Sequence, residues 1–387
     1  MSENERLKIL FLPAWYPSTK NPVAGIFIKE HAKAVSLFNE VVVLYNEGCD
    51  KKLKKTWQII SDKDEDWIRT IRIKYKKSPI PKTSYFIYLW SIKQAFKKML
   101  KEGWKPDVIH AHVYSAGVPA VILGKKYKIP VVITEHFSTF PRHTLNKIEV
   151  FKARFALRRA KMVLPVSKNL QKHIESYGIK NRFEIIPNVV NLNDFYPLVK
   201  KGKDKNQPKK ILTVALLVPI KGIPFLLKAL ANLKTKRQDF FLDIVGDGLN
   251  RQKYEELTEK LGLQNLVKFH GLRTKKEVAE FMRNCDFFVQ PSLYETFGVT
   301  FIEAMACGKP IVATNLSVLQ KLIDKERGIL VPPKNVNTLT KAIDYMLEHY
   351  QDYSPEKISQ YIKNGFNYKV IGKKLDDIYR EILKENL

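Results

Sequence analysis

Two glutamates, Glu295 and Glu303, bracket Gly298 in the stretch Pro291-Ser292-Leu293-Tyr294-Glu295-Thr296-Phe297-Gly298 and the apolar segment after it. Phe287–Gln290 reads as a strand. A helix from Val299 to about Cys307 follows, stopped by Gly308 and Pro310 as a C-terminal glycine and a following proline stop helices. A glycine at the helix entry lets a ligand approach the backbone, and the free N–H groups of a first turn suit a phosphate. Glu295 falls in the loop before those donors, and Glu303 about one turn inside the helix. A carboxylate repels phosphate but binds vicinal hydroxyls by accepting two hydrogen bonds. Two carboxylates flanking an anion site therefore suit a sugar–phosphate–sugar ligand such as a nucleotide sugar. The bare spacing carries no weight, since a chain of this length contains such a pair by chance. The surroundings do: Glu303 lies among Phe301, Ile302, Ala304, Met305 and Ala306, where a solvated carboxylate is out of place.

A second group of candidates sits in the first half of the chain. Thr134-Glu135-His136 ends an apolar strand, and ligands of open α/β sheets bind beyond the carboxyl ends of strands. That position makes His136 a candidate substrate contact. His110 and His112 alternate on one strand face, so with His136 they offer three nitrogens that zinc could use, although nothing completes the set. Asp62-Lys63-Asp64-Glu65-Asp66 offers acidic oxygens but reads as a solvated loop. Gly246-Asp247-Gly248 follows a strand and reads as a tight turn. Cys49, Cys285 and Cys307 lack paired spacing and read as packing residues in a reducing compartment.

The elements that must hold these residues alternate from end to end. Candidate strands are Lys8–Leu12, Glu40–Tyr45, Asp107–His112, Pro130–Thr134, Met162–Val166 and Phe183–Ile186. After Tyr196 the pattern restarts with Ile211–Ala215, Phe240–Val245, Val267–His270, Phe287–Gln290, Pro310–Ala313 and Gly328–Val331. Amphipathic segments between them, such as Gly25–Phe38 and Thr274–Arg283, read as helices. The expected fold class is α/β, with two doubly wound, Rossmann-like domains. Residues 1–190 form the first domain, 191–210 a lysine-rich linker, 211–367 the second domain, and 368–387 a helix that packs back on the first.

With 387 residues, 45% of them hydrophobic, the chain can bury a sizeable core, which excludes disordered and low-complexity classes. Its 67 Lys and Arg against 39 Asp and Glu leave a net charge of +28, which implies a polyanionic neighbourhood. Lysines share one segment with aromatics between Tyr85 and Lys101, and a basic run follows from Lys147 to Lys161. A solvated surface in a lysine-rich proteome and a docking face for anionic lipid both fit that pattern. Nucleic-acid binding is the rival class, but no nucleic-acid-reading module is evident. The first apolar run, Ile9–Leu12, is too short for a signal peptide. No stretch reaches the ~18 apolar residues of a membrane span. The expected location is cytoplasmic, or peripheral on the cytosolic face of a membrane.

The segment from Pro291 to Pro310 resembles the E-x7-E signature of the retaining family 4 glycosyltransferases, which have the GT-B fold. Ile220-Lys221-Gly222, Val245-Gly246-Asp247-Gly248, Pro187-Asn188-Val189, Thr134-Glu135-His136 and the opening Trp15-Tyr16-Pro17 to Gly25 resemble the family's other landmarks, in order. The resemblance implies two domains facing a cleft, donor bound by the second and acceptor by the first. It implies that Glu295 contacts the transferred sugar and Glu303 the ribose. Backbone N–H groups around Phe297, Gly298 and Val299, with the Lys221 ammonium, hold the diphosphate. Leu272 faces the base, Gly246 borders the donor, His136 lies near the reacting sugar, and Gly25 belongs to an acceptor or diphosphate loop. Where the family places an arginine, this chain has Leu216, so Lys221 works with less help or another cation such as Arg273 reaches in. The implied function is retaining, metal-independent glycosyl transfer from a nucleotide diphosphate sugar to a glycan or lipid-linked acceptor, without a cofactor. Sugar-nucleotide epimerases and phosphorylases share the architecture, but the E-x7-E context favours transfer.

Overall fold

The computed structural model describes residues 5–80, 83–198 and 207–385, so the centre of the expected linker lies outside the described residues. The chain divides into two compact units, Met1–Val189 with Tyr368–Leu387, and Val190–Asn367.

In the first unit the chain runs β1 (Lys8–Pro13), α1 (Ile26–Ser36), β2 (Glu40–Asp50), β3 (Trp57–Glu65), β4 (Ile68–Lys76), α2 (Thr83–Lys101), β5 (Val108–His112), α3 (Tyr114–Tyr127), β6 (Val131–Glu135), α4 (Lys147–Leu157), β7 (Met162–Pro165) and α5 (Lys168–Ser176). The sheet order is β3-β4-β2-β1-β5-β6-β7. The strands are parallel except for β3, which runs antiparallel to β4. β1, β5 and β6 are almost wholly buried, as central parallel strands between two helical layers must be. From β1 the chain builds outward through β2 on one side and then returns to β5 on the other. The switch point of this sheet is therefore the β1/β5 boundary, where ligands of such sheets bind.

The second unit repeats the plan with β8 (Lys209–Val214), α6 (Ile223–Lys234), β9 (Phe240–Val245), α7 (Arg251–Lys260), β10 (Val267–Gly271), α8 (Lys275–Asn284), β11 (Phe287–Gln290), α9 (Val299–Ala306), β12 (Ile311–Thr314), β13 (Gly328–Val331), α10 (Val336–His349) and α11 (Pro355–Gly365). Its sheet, β10-β9-β8-β11-β12-β13, is wholly parallel and switches direction between β8 and β11. A core of Leu226, Leu230, Leu242, Ile244, Phe287 and Ile343 fills the space between this sheet and its helices.

The last helix, α12 (Tyr368–Lys384), belongs to the first unit. Ile371, Leu375, Tyr379 and Ile382 join Ile9, Phe11, Ile28 and Val35 in its core. Gly372 permits the approach of α12 to α1, because a Cβ there would stand 2.2 Å from the Ala34 carbonyl oxygen. The Tyr379 hydroxyl reaches His110 Nδ1 at 2.6 Å.

Three expectations need correction. Asp62–Glu65 is no loop: it lies in β3, and the β3/β4 hairpin turns at Asp66 and Trp67, both with positive φ. Its carboxylates are spent on structure, Asp62 with Arg69 at 2.9 Å and Glu65 with Arg72 at 2.7 Å. Phe183–Ile186 forms only an isolated bridge, Phe183 to Val163, although Glu184 and Ile186 donate N–H bonds to β7. Cys285 and Cys307 are buried as expected, whereas Cys49 is exposed.

Candidate active site

The switch point of the second unit brings Lys221 and Glu295 together. Lys221 ends a single 3-10 turn, Pro219–Lys221, after β8, and Glu295 lies in the loop after β11. The Leu293 N–H donates to the Ile220 carbonyl at 2.7 Å, so the two loops share a backbone hydrogen bond. Gly222 takes φ 70°, and a Cβ there would stand 1.9 Å from the Pro291 carbonyl oxygen. Only glycine permits that approach. Lys221 Nζ then lies 2.6 Å from Glu295 Oε1, which also accepts from the Ser292 hydroxyl at 2.8 Å and Gln290 Nε2 at 3.2 Å. The Glu295 side chain is 9% exposed and that of Lys221 20%, so the pair is sheltered yet reachable.

Gly298 starts α9 from the left-handed region, φ 95°, and offers no side-chain cap to the helix N-terminus. A Cβ on Gly298 would come within 2.7 Å of the Phe301 ring. Phe297 is buried beside Phe366, ring centroids 6.1 Å apart, which anchors the loop. Glu303 is buried inside α9, and its Oε1 pairs with Lys275 Nζ at the start of α8. Lys275 is a site residue that the sequence reading missed. It follows Thr274, whose capping box with Glu277 fixes where α8 begins.

The remaining donor candidates line the adjacent strand ends. Gly246 donates its N–H to the Gly271 carbonyl at 2.9 Å, and a Cβ at Gly246 would meet the Ala215 carbonyl at 1.9 Å. Leu272, 45% exposed, follows directly. Arg273, just before the N-cap of α8, lies 3.8 Å from Glu277 in that helix's first turn. Arg251 instead places its Nη1 3.2 Å from Asp247 Oδ2. A Cβ on Gly271 would stand 3.0 Å from that same guanidinium. Arg251 is therefore a further cation at the ends of β9 and β10, beside Arg273. Leu216 is 50% exposed and contributes no charge.

The switch point of the first unit gathers histidines. His112 ends β5, His136 follows β6, and His31 comes from α1; they are 0%, 7% and 0% exposed. His112 Nδ1 stands 3.1 Å from His136 Nε2, and His31 Nε2 donates to the Pro187 carbonyl at 3.0 Å. Phe27, in the first turn of α1, packs on His136 with centroids 4.6 Å apart. Gly25, at the N-cap of that helix, has φ 63°, and a Cβ there would stand 2.2 Å from the Trp15 carbonyl oxygen. Gly25 and His136 are thus parts of one local structure. Of the three histidines the sequence offered, His110 drops out, because both its nitrogens are engaged, by Tyr379 and by Thr134 Oγ1 at 2.7 Å; His31 stands beside His112 and His136 instead. Burial pulls His31 down to about 4, and pulls His110, His112 and His136 well below the usual histidine range. Glu135 accepts N–H bonds from Tyr114, His136 and Phe137, each at 2.9 Å. Burial pushes its carboxyl up to about 7 against the pull of those donors.

Known proteins resemble the chain along most of its length. The model of glycosyl transferases group 1 matches residues 194–367, and that of glycosyltransferase family 4 matches residues 33–194. An uncharacterized glycosyltransferase of Methanocaldococcus jannaschii is 31% identical over 61% of this chain; the alignment spans 64% of that relative, less than two thirds of its length. A Bacillus subtilis glycosyltransferase named for teichuronic acid biosynthesis, TuaC, is 26% identical over 90% of this chain and 91% of its own. Among solved structures, sucrose-phosphate synthase from Thermosynechococcus elongatus superposes with a TM-score of 0.77 at 21% identity, over 98% of this chain and all of its own. Anabaena HepE, solved in complex with UDP and glucose, reaches 0.74 at 21% identity over 97% of this chain. These likenesses establish the GT-B fold.

Proposed function

Because the chain belongs to the glycosyltransferases of group 1 and family 4, we propose that it moves a sugar from a nucleotide diphosphate sugar to a glycan or lipid-linked acceptor. The observation that carries this reading is the Lys221–Glu295 pair at the β8/β11 switch point, with Lys221 in the turn after β8 and Glu295 in the loop that leads into the uncapped start of α9. In this reading the second unit holds the donor and the first the acceptor. The Lys221 ammonium and the N–H groups from Phe297 to Val299 hold the diphosphate. Glu303 accepts from the ribose hydroxyls, Leu272 borders the base, and Gly246 borders the donor. Arg273 stays in reserve as a cation at the same strand ends. That HepE was solved with UDP and with UDP-glucose supports a donor of this class.

The reaction breaks the bond between the anomeric carbon and the phosphate oxygen and forms one from that carbon to the acceptor oxygen. The acceptor proton passes to the departing diphosphate on the same face, so configuration is retained. Charge grows on the diphosphate as the bond breaks. A preorganised ammonium and a helix N-terminus stabilise it there without a divalent cation. Glu295 holds Lys221 in place and accepts from a hydroxyl of the transferred sugar. His136 and Gly25 border the acceptor, His136 as a neutral ring. Release of nucleoside diphosphate from a panel of nucleotide sugars tests the reading, and its failure with every donor would defeat it.

The acceptor's setting is proposed as surface polysaccharide or glycolipid assembly, supported by the teichuronic acid relative. Among the described residues no helix is long and apolar enough to cross a membrane. Peripheral docking is supported instead by α2 and α4, which Lys152 joins by lying 4.5 Å over the Tyr85 ring. Next to these two residues, Phe86 and Phe151 are each 69% exposed, and Ile148 is 63% exposed. Lys97 and Lys101 serve as free cations of this face better than Lys98, which pairs with Glu102. The protein is therefore expected to cosediment with anionic vesicles and to be released as salt shortens the Debye length from about 10 Å at 0.1 M to about 3 Å at 1 M. Phe86→Ser and Phe151→Ser should each weaken binding about tenfold, the low end of what burying a Phe contributes. Equal recovery on neutral and anionic vesicles, or none on either, would remove the membrane from the account.

A further inference from the structure

We propose that His31, His112 and His136 hold a divalent transition-metal ion, zinc by donor chemistry, within the first unit. One ring nitrogen from each residue lies within 4.8 Å of the others. The cluster leaves polar atoms unserved: His31 Nδ1, His112 Nε2 and His136 Nδ1 are buried without a hydrogen-bond partner. Of these, His31 Nδ1 is the atom a metal would take, while His112 Nε2 and His136 Nδ1 are the second nitrogens of rings that would ligate through their other nitrogen. Buried polar groups are almost always paired, so the open His31 Nδ1 beside two further buried imidazoles calls for an occupant.

The local bonds select the ligating atoms. His31 Nε2 donates to the Pro187 carbonyl, which fixes that tautomer and leaves the Nδ1 lone pair for a metal. Such an outer bond is the usual support of a ligating histidine. His112 Nδ1 and His136 Nε2 already stand 3.1 Å apart. Zinc bound at about 2.0–2.1 Å in a tetrahedron separates its nitrogens by about 3.4 Å, so an ion can replace the proton these two now share. The 4.8 Å spread of the three residues' ligand atoms exceeds that separation, so the rings draw together on binding. Three histidines with a water in the fourth position make a usual tetrahedral zinc set. His110 is excluded, since Tyr379 and Thr134 occupy both of its nitrogens. A metal on His136 Nε2 forces its proton onto Nδ1, so the ion would make His136 a fixed N–H donor. The site lies wholly in the first unit, gives no role to Lys221 or Glu295, and stands or falls independently of the donor reading.

The test uses tag-free protein freed of metal by dialysis against a chelator and titrated with cobalt, whose visible bands report coordination, with zinc as competitor. One cobalt per chain with the intense spectrum of a four-coordinate site is expected. His31→Gln and His112→Gln should each weaken it about 100-fold or more. His143→Ala, at the surface pair His143 and His173 with ring centroids 5.6 Å apart, should leave it intact. Zinc-edge absorption on the unmutated protein reads the imidazoles directly, should either variant fail to fold, and three are expected. No cobalt band at tenfold excess, fewer than three imidazoles, or loss with His143→Ala alone would overturn the proposal.

Discussion

Lys221→Ala is expected to lower turnover of a verified donor by about 100- to 1000-fold, the usual result of removing one preorganised stabiliser of transition-state charge. The loss should fall mainly on kcat, since the charge that Lys221 opposes grows as the diphosphate departs. This chain is more exposed to that loss than one with a second cation at position 216, where Leu216 stands half in solvent. The same openness gives the reciprocal experiment: Leu216→Arg should tighten donor binding, because an arginine there has room to reach a phosphate. The variant also strands Glu295, which keeps its bonds from Ser292 and Gln290 but loses its counter-charge. Removing one partner of a sheltered ion pair destabilises a fold by about 3–5 kcal/mol. Thermal unfolding of Lys221→Ala separates the two effects. If turnover stays low when measured well below the variant's own unfolding temperature, where it is fully folded, the ammonium acts on the donor. Wild-type kinetics in Lys221→Ala would show that another group carries the diphosphate.

Glu303→Ala is expected to weaken nucleotide-sugar binding about 100-fold while leaving turnover at saturation nearly unchanged. Two hydrogen bonds from ribose hydroxyls to a carboxylate are each worth about 1.5–3 kcal/mol, and they are made alike in ground and transition states. Glu303 is buried and holds Lys275, so part of any loss could arise from a loosened α8. Donors lacking the ribose hydroxyls resolve this. On the unmutated protein they should bind about as weakly as the full donor binds Glu303→Ala, and the substitution should add little further loss. Additive losses would place Glu303 in the scaffold and not on the ribose. Glu295→Ala should show the opposite split, with turnover falling more than affinity.

How much of this was legible in the sequence depended on the range of the interaction. The strands of both sheets announce themselves because they are buried on both faces and read as continuous apolar runs. The β3/β4 hairpin does not, because β3 buries almost nothing and its alternation of polar residues resembles a loop. Glu303 stands out because its helix is apolar on every side, while its partner Lys275 hides in a capping sequence that reads as solvent-facing. His31 had a local signal: Ile28, His31, Ala32 and Val35 follow the helical period on the buried face of α1. The exclusion of His110 had none, since its partner Tyr379 lies 269 residues away in the chain. Likewise, the glycines of the donor loops can be counted in the sequence, but which carbonyl each one lets approach is a property of the assembled sheet.

The most direct measurement follows a nucleotide diphosphate sugar by proton NMR as the protein consumes it in the presence of an acceptor glycan or lipid-linked sugar. The anomeric signal of the newly formed bond reports the stereochemistry, and the released nucleoside diphosphate reports the donor. The expected spectrum shows transfer with the donor's anomeric configuration retained, unaffected by added magnesium or manganese and strongly reduced in Lys221→Ala. A product of inverted configuration, a strict requirement for either cation, or full activity without Lys221 would contradict the account.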